Sequence, residues 1–233
     1  MGPVIGDILP LALGIAISPL PIMATTIMLL SPKARGTSVG FLIGWVAGIT
    51  LMTTVFVLLA ALLPSVRPHA PAVLTGVVEI FLGLLLVVLA VRTWRSRPRA
   101  GESPPVPRWI TAIDSLTLWR GLAVGFVYSA FRPKNLLISL AAGVVIGSAG
   151  LAAAPATVVL AIFVVFAAST IAAPVVAFFS GAPKVASGLE GLREWLLRNV
   201  STVTSTALLF LGVVIVGMGI AQFYVRRLGT ARS

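Results

Sequence analysis

Apolar residues occupy this chain in long blocks rather than in alternation with polar ones. Runs able to cross hydrocarbon fall at about 8–30, 38–63, 72–91, 121–147, 153–179 and 203–223. A helix needs roughly 20 apolar residues to cross ~30 Å of bilayer core, and each block meets or approaches that length. Backbone groups in lipid must be satisfied within their own segment or in a closed barrel. The blocks lack the alternation of barrel strands. The pattern therefore predicts an all-α integral membrane protein with six transmembrane helices.

Polar positions are of two kinds. Most lie between the blocks, in "SPKARGTS", "PSVRPHAP", "RTWRSRPRAGESPPVPRW", "GSAGLAA" and "SGAPKVASGLEGLREWLLRNV", where proline and glycine mark turns or irregular chain. The others interrupt two blocks from within. In "GIAISPLPIMATT", Pro19 and Pro21 each remove a backbone donor and crowd the preceding turn, and Ser18 stands beside them. In "YSAFRPKNLLISLAAG", Pro133 does the same between Arg132 and Lys134, with Asn135 following. Such breaks are tolerated at membrane depth only where protein, side chains or water fill the gap. Ser18, Thr25 and Thr26 supply hydroxyls for this, or simply bond back to the preceding turn.

The breaks also suggest the organisation. Each lies in the first span of a set of three, and a long linker separates the sets. This predicts two inverted three-helix repeats, with residues 1–95 as the first, 96–119 as a basic linker and 120–233 as the second.

Charge orients the array. Basic residues of the 31–38 loop, of the linker and of 184–198, from Lys33 and Arg35 to Arg198, fall on one side; Arg67, Arg226, Arg227 and Arg232 fall on the other. By the positive-inside rule the linker is cytoplasmic and both termini are extracytoplasmic. The net charge of +11 thus follows from membrane orientation, and a nucleic-acid partner is not expected. The linker has the composition of an anchor for anionic headgroups. Its "RWITAIDSLTLW" end reads as an interfacial helix with Trp109 and Trp119 at headgroup depth and Asp114 toward water. In "GLEGLREWLLRNV", a second amphipathic piece, Glu194 and Arg198 have the spacing of a favourable pair. The first block lacks a basic leader and follows Asp7, so it is expected to remain in the mature chain.

Cations inside a bilayer are costly, so Arg132 and Lys134 must reach the interface, pair with an acid, or line a wet cavity. Glu79 is the one acid within a predicted span, and three roles stay open for it: a partner of Arg132 or Lys134, an interfacial group, or a proton-coupling carboxyl. Ser18, Pro19, Pro21, Glu79, Arg132, Pro133, Lys134 and Asn135 form the candidate substrate or coupling site. Freed backbone groups with cationic donors suit an anionic headgroup or a carboxylate. Gly40, Gly44 and Gly48 form a small-residue stripe, with Gly121/Gly125 and Gly143/Gly147 as further pairs, for tight packing or for sliding surfaces. Pro174 is expected to kink the fifth span, with Ser169 and Thr170 near the gap.

Composition narrows the chemistry. Hydrophobic residues make up 58% of the 233 and charged residues 10%, against roughly 25% charged in soluble domains. There is no cysteine and one histidine, His69, so neither thiolate chemistry nor a metal centre is expected, and no cofactor. HExxH, GxSxG and a phosphate-binding GxxxxGKS loop are missing, which argues against an enzyme or an intrinsic ATPase.

The segments "AISPLPIMATTIMLLSPKARGTSVGFLIGWVAG", "LGLLLVVLAVRTWR" and "FRPKNLLISLAAG" resemble the actinobacterial glycopeptidolipid and sulfolipid addressing proteins, the GAP/Sap family, a branch of the lysine-exporter (LysE) superfamily. Pro133–Lys134–Asn135 is similar to the Asn-Pro-Lys element of the second half, although Arg132 precedes it here. The resemblance covers most of the chain. It implies a six-span fold of inverted repeats and outward movement of envelope lipids or small metabolites across the plasma membrane. The function expected is a secondary exporter of envelope lipid precursors or of small anionic or zwitterionic metabolites. The alternative is a membrane adaptor assisting a lipid export or synthesis complex. Expected partners are the bilayer, a lipid or small-molecule substrate, and a second copy of the chain or an envelope-lipid export complex.

Overall fold

The computed structural model describes residues 1–31, 34–62, 72–97, 117–181 and 184–230. The chain is all-α there: α1 (Gly2–Ala16), α2 (Pro19–Leu30), α3 (Ala34–Leu62), α4 (Ala72–Arg95), α5 (Leu118–Phe131), α6 (Pro133–Ser148), α7 (Ala153–Phe179) and α8 (Lys184–Thr230). Four helices are long and apolar enough to cross a membrane. The count rises to as many as six if the pairs α1–α2 and α5–α6, bent by 55° and 64°, each form one broken span. The protein is a multi-pass membrane protein.

Both interrupted blocks split at their prolines. Pro19 opens α2 and Pro133 opens α6, in the first turn where a missing N–H leaves no intrahelical bond unmade. The preceding residues, Ser18 and Arg132, are extended, as steric conflict with a following proline ring favours. Thus the prolines end one helix and start the next.

Two expectations need adjustment. The first broken span begins at Gly2, well before residue 8. The "GLEGLREWLLRNV" piece is no separate element: α8 runs from Lys184 to Thr230 without a break, since 192–211 contains neither glycine nor proline. Within it, Glu194 and Arg198 stand 4.0 Å apart, both exposed. Pro174 lies within α7, which continues through it to Phe179. The proposed interfacial helix around Trp109 and Asp114, together with Lys33, Arg67 and His69, lies outside the described residues, while Trp119 is exposed on α5.

Packing interlaces the halves. The broad contacts are α4 with α8, α3 with α5 and α6, and α7 with α1. One core unites Ile8, Leu11 and Ile15 of α1 with Phe41, Trp45 and Ile49 of α3, Ile138 of α6, Phe163 of α7 and Leu211 of α8, all buried. Phe81, Val165 and Phe210 point outward instead, which a bilayer permits because lipid tails are as apolar as the core.

Glycines set the closeness of these contacts. A Cβ at Gly44 would collide with the Leu122 carbonyl and come 2.8 Å from the Phe126 nitrogen, and Gly40 and Gly48 also face α5. Gly121 and Gly125 answer from α5 against Thr37 and Phe41. Gly143 and Gly147 lie against Phe56 and Val57 of α3. The α4–α8 contact has its own pair: a Cβ at Gly83 would stand 2.8 Å from the Gly212 carbonyl oxygen, and one at Gly212 2.8 Å from that of Gly83. Gly219 meets the Gly76 carbonyl in the same antiparallel register.

Candidate functional site

Every carbonyl from Leu13 to Ile17 has lost its regular helical donor or sits beside one that has. Ile17 N–H still reaches the Leu13 oxygen at 2.8 Å. Pro19 cannot donate to Ile15, and the Ser18 hydroxyl donates there instead, at 2.6 Å. Ser18 N–H turns to the Ala16 oxygen at 2.8 Å, which leaves Gly14 open. Pro21 cannot donate to Ile17. The Lys134 ammonium supplies both missing bonds, at 2.7 Å to Gly14 and 3.2 Å to Ile17. Its third proton goes to Ser18 Oγ at 2.7 Å.

Lys134 is buried, and among the described residues no carboxylate pairs with it. Its charge is met by the carbonyls at the C-terminal end of α1, where the helix dipole is negative. Although Lys134 belongs to the first turn of α6, its side chain spans to the other break. The two proline regions are therefore in direct contact, joined by one side chain. From α7, the Thr170 hydroxyl donates to Ala16 at 2.6 Å, a second element sealing the first break. Ser169 bonds within its own helix, to Phe166 at 2.7 Å, so neither hydroxyl serves a gap at Pro174.

The second break is repaired locally. Pro133 cannot donate to the Ser129 carbonyl, and Asn135 Nδ2 does so at 3.3 Å. Asn135 Oδ1, buried, has no hydrogen-bond partner. Arg132 is engaged by Tyr128: its guanidinium donates to the Tyr128 hydroxyl and lies 4.7 Å from that ring's centroid. Tyr128 in turn stacks on Trp45, and Trp45 on Phe41. Thr25 and Thr26 bond back to Pro21 and Ile22 at 2.9 and 2.8 Å, so of these three hydroxyls Ser18 is the one that serves the junction.

Among the sequence-derived candidates, Ser18, Pro19, Pro21, Pro133, Lys134 and Asn135 thus converge, and Arg132 flanks them. Glu79 does not join: it sits on α4, only 4% exposed, with Oε2 unpartnered. No ion pair links it to Arg132 or Lys134. Sequence reasoning gave Thr170 to the Pro174 gap rather than to Ala16 and overlooked Tyr128; both roles depend on packing. It also overlooked Gly76, Gly83, Gly212 and Gly219, although their seven-residue spacing on two apolar blocks is a readable signal. Among the described residues no group of three or more His, Cys, Asp or Glu is placed to hold a metal ion.

Comparison with known proteins bears on the chain at the level of family. No curated protein and no solved structure matches the chain. A family model does match over residues 8–221, a range that contains both breaks and most of the chain, and the protein belongs to that family, described as Sap, sulfolipid-1-addressing protein.

Proposed function

We propose that the chain is a membrane adaptor that assists a lipid export or synthesis complex at the plasma membrane. The supporting observation is the state of the junction: all three protons of the Lys134 ammonium are donated to the α1–α2 break. The cation that an anionic substrate would require is engaged inside the protein, and the two broken spans are latched to each other. A latched core suits a scaffold on which other components dock. The family description, sulfolipid-1-addressing, suggests an envelope lipid as the cargo of the complex. In this reading the 96–119 linker is cytoplasmic, both termini are extracytoplasmic, and the linker serves as a docking surface.

A secondary exporter of envelope lipid precursors or small anionic or zwitterionic metabolites is the second reading. Helix exchange favours it: α3 packs on α5 and α6, α7 packs on α1 and α2, and α4 pairs with α8. Two inverted repeats, 1–95 and 120–233, would produce this reciprocity, as in transporters of the kind the lysine-exporter superfamily represents. Glu79, buried with one carboxylate oxygen unpartnered, would then be the coupling carboxyl.

The readings separate on two measurements. The first compares envelope lipids and exported metabolites of a deletion strain with those of its complement. The second asks whether the purified chain alone, in vesicles under a proton gradient, moves lipid or metabolite. The adaptor reading expects an envelope-lipid defect in the strain and no movement by the chain alone. Movement by the chain alone would overturn it.

A further inference from the structure

The last turns of α4 carry two adjoining stripes that each end in arginine. Leu85, Val88, Leu89 and Arg92 follow the i, i+3, i+4, i+7 spacing of one helix face. Ala90, Val91, Trp94 and Arg95 make the neighbouring face. Each stripe is one wall of a groove on the outside of the bundle. The first groove, about 460 Å³, is closed by Phe131 and Pro133 at the second break and by Leu136 and Leu137 of α6. The second, about 420 Å³, is closed by Ser205, Thr206 and Leu209 of α8.

Lipid tails fill any apolar groove in a membrane, so the grooves alone would select nothing. The cations do select. Arg92 and Arg95 stand one turn apart, both exposed, at the same end of the two grooves. Arg97 adds a third positive group there, 4.0 Å from the Trp94 ring centroid. Among the described residues no acid pairs with these arginines; Glu194, on the leading part of α8, faces Arg198. Guanidinium groups bind phosphate oxygens through charge-assisted, often bidentate, hydrogen bonds.

We infer that the end of α4 seats one two-chain anionic phospholipid, with its phosphate between Arg92 and Arg95 and one acyl chain in each groove. The phospholipid would straddle α4 and tie it to α6 on one side and α8 on the other. The first groove borders the Lys134 junction at Pro133, but the phosphate seat uses none of the junction's polar groups, and its occupancy does not depend on whether the chain is an adaptor or an exporter.

Native mass spectrometry of the full chain in mild detergent, titrated with dioleoylphosphatidylglycerol or dioleoylphosphatidylcholine, tests it. The first equivalent of the anionic lipid is expected to bind on the order of tenfold more tightly than the zwitterionic one, an effect in line with two juxtamembrane cations. Arg92→Gln/Arg95→Gln should abolish that preference, and Arg193→Gln/Arg198→Gln should keep it. Leu209→Trp, which narrows one groove and retains both arginines, should weaken binding of the anionic lipid. Melting curves establish that each variant is folded. Equal binding of the two lipids by the wild-type chain, or an unchanged preference in the folded Arg92/Arg95 variant, would overturn the phosphate site. Unchanged binding in folded Leu209→Trp would overturn the seating of one chain in each groove.

Discussion

Lys134 Nζ stands 2.7 Å from Ser18 Oγ, and these two atoms come from the two places where proline interrupts an apolar block. Ser18 is at once acceptor for Lys134 and donor to Ile15, so one hydroxyl links the cation to the carbonyl that Pro19 left open.

Removing Lys134 should therefore act first on the fold. Lys134→Ala leaves the Gly14 and Ile17 carbonyls and the Ser18 hydroxyl without that donor inside the membrane protein. A loss of ~2–4 kcal/mol is expected, from hydrogen bonds to a charged group plus the stranded acceptors. Thermal melting in detergent measures it. Ser18→Ala should be costly as well. Thr170→Val should cost about 1 kcal/mol or less, because Ala16 keeps its bond from Ser18 N–H. A Lys134→Ala variant as stable as wild type would contradict the latch.

Asn135 stands in for an amide that Pro133 lacks, which predicts coupling between the two. Asn135→Ala should cost about 1 kcal/mol by opening the Ser129 carbonyl. In a Pro133→Ala background residue 133 regains its N–H, and the same substitution should cost less. A double-mutant cycle of melting stabilities reads the difference directly; strict additivity would show that Asn135 plays no such role.

The α4–α8 contact is as close as its glycines allow. Gly212→Val should destabilise by about 1–3 kcal/mol, the usual cost of overpacking, because its Cβ would meet the Gly83 carbonyl. Gly217→Ala, in the same helix with nothing within 4 Å of its Cβ, should be near neutral. Equal melting temperatures for the two variants would argue against backbone contact there.

Glu79 is a buried carboxyl with an unpartnered oxygen, which costs stability. Glu79→Leu should raise stability by about 1 kcal/mol or more. If Glu79 is kept for function, the same variant should fail to restore envelope lipids in the deletion strain, the usual trade between stability and activity. Full complementation by a stabilised Glu79→Leu would dismiss any coupling role. In transport assays, a wild-type pH profile in Glu79→Gln would do the same.

Much of the site can be read along the chain. Proline inside an apolar block has a fixed local consequence, a lost donor and an extended preceding residue, so Pro19, Pro21 and Pro133 announce their breaks without any tertiary information. Ser18 and Asn135 are legible for the same reason, being short polar side chains beside carbonyls that lose a bond. Glu79 is different. Its sign and block suggest a partner for Lys134, yet the ion-pair argument is indifferent to which carbonyls a break exposes, and carbonyls at a helix end can hold an ammonium without any acid.

The amino-acid order alone determined that this chain is a helical membrane protein interrupted twice, because hydrophobic run length and proline stereochemistry act over a turn or two of backbone. Tertiary structure decided which open carbonyls meet which donors. Lys134 is 116 residues from Ser18, and Thr170 is 154 from Ala16; only the packing of α6 and α7 against α1 brings such groups within hydrogen-bond reach, and no local rule encodes that distance.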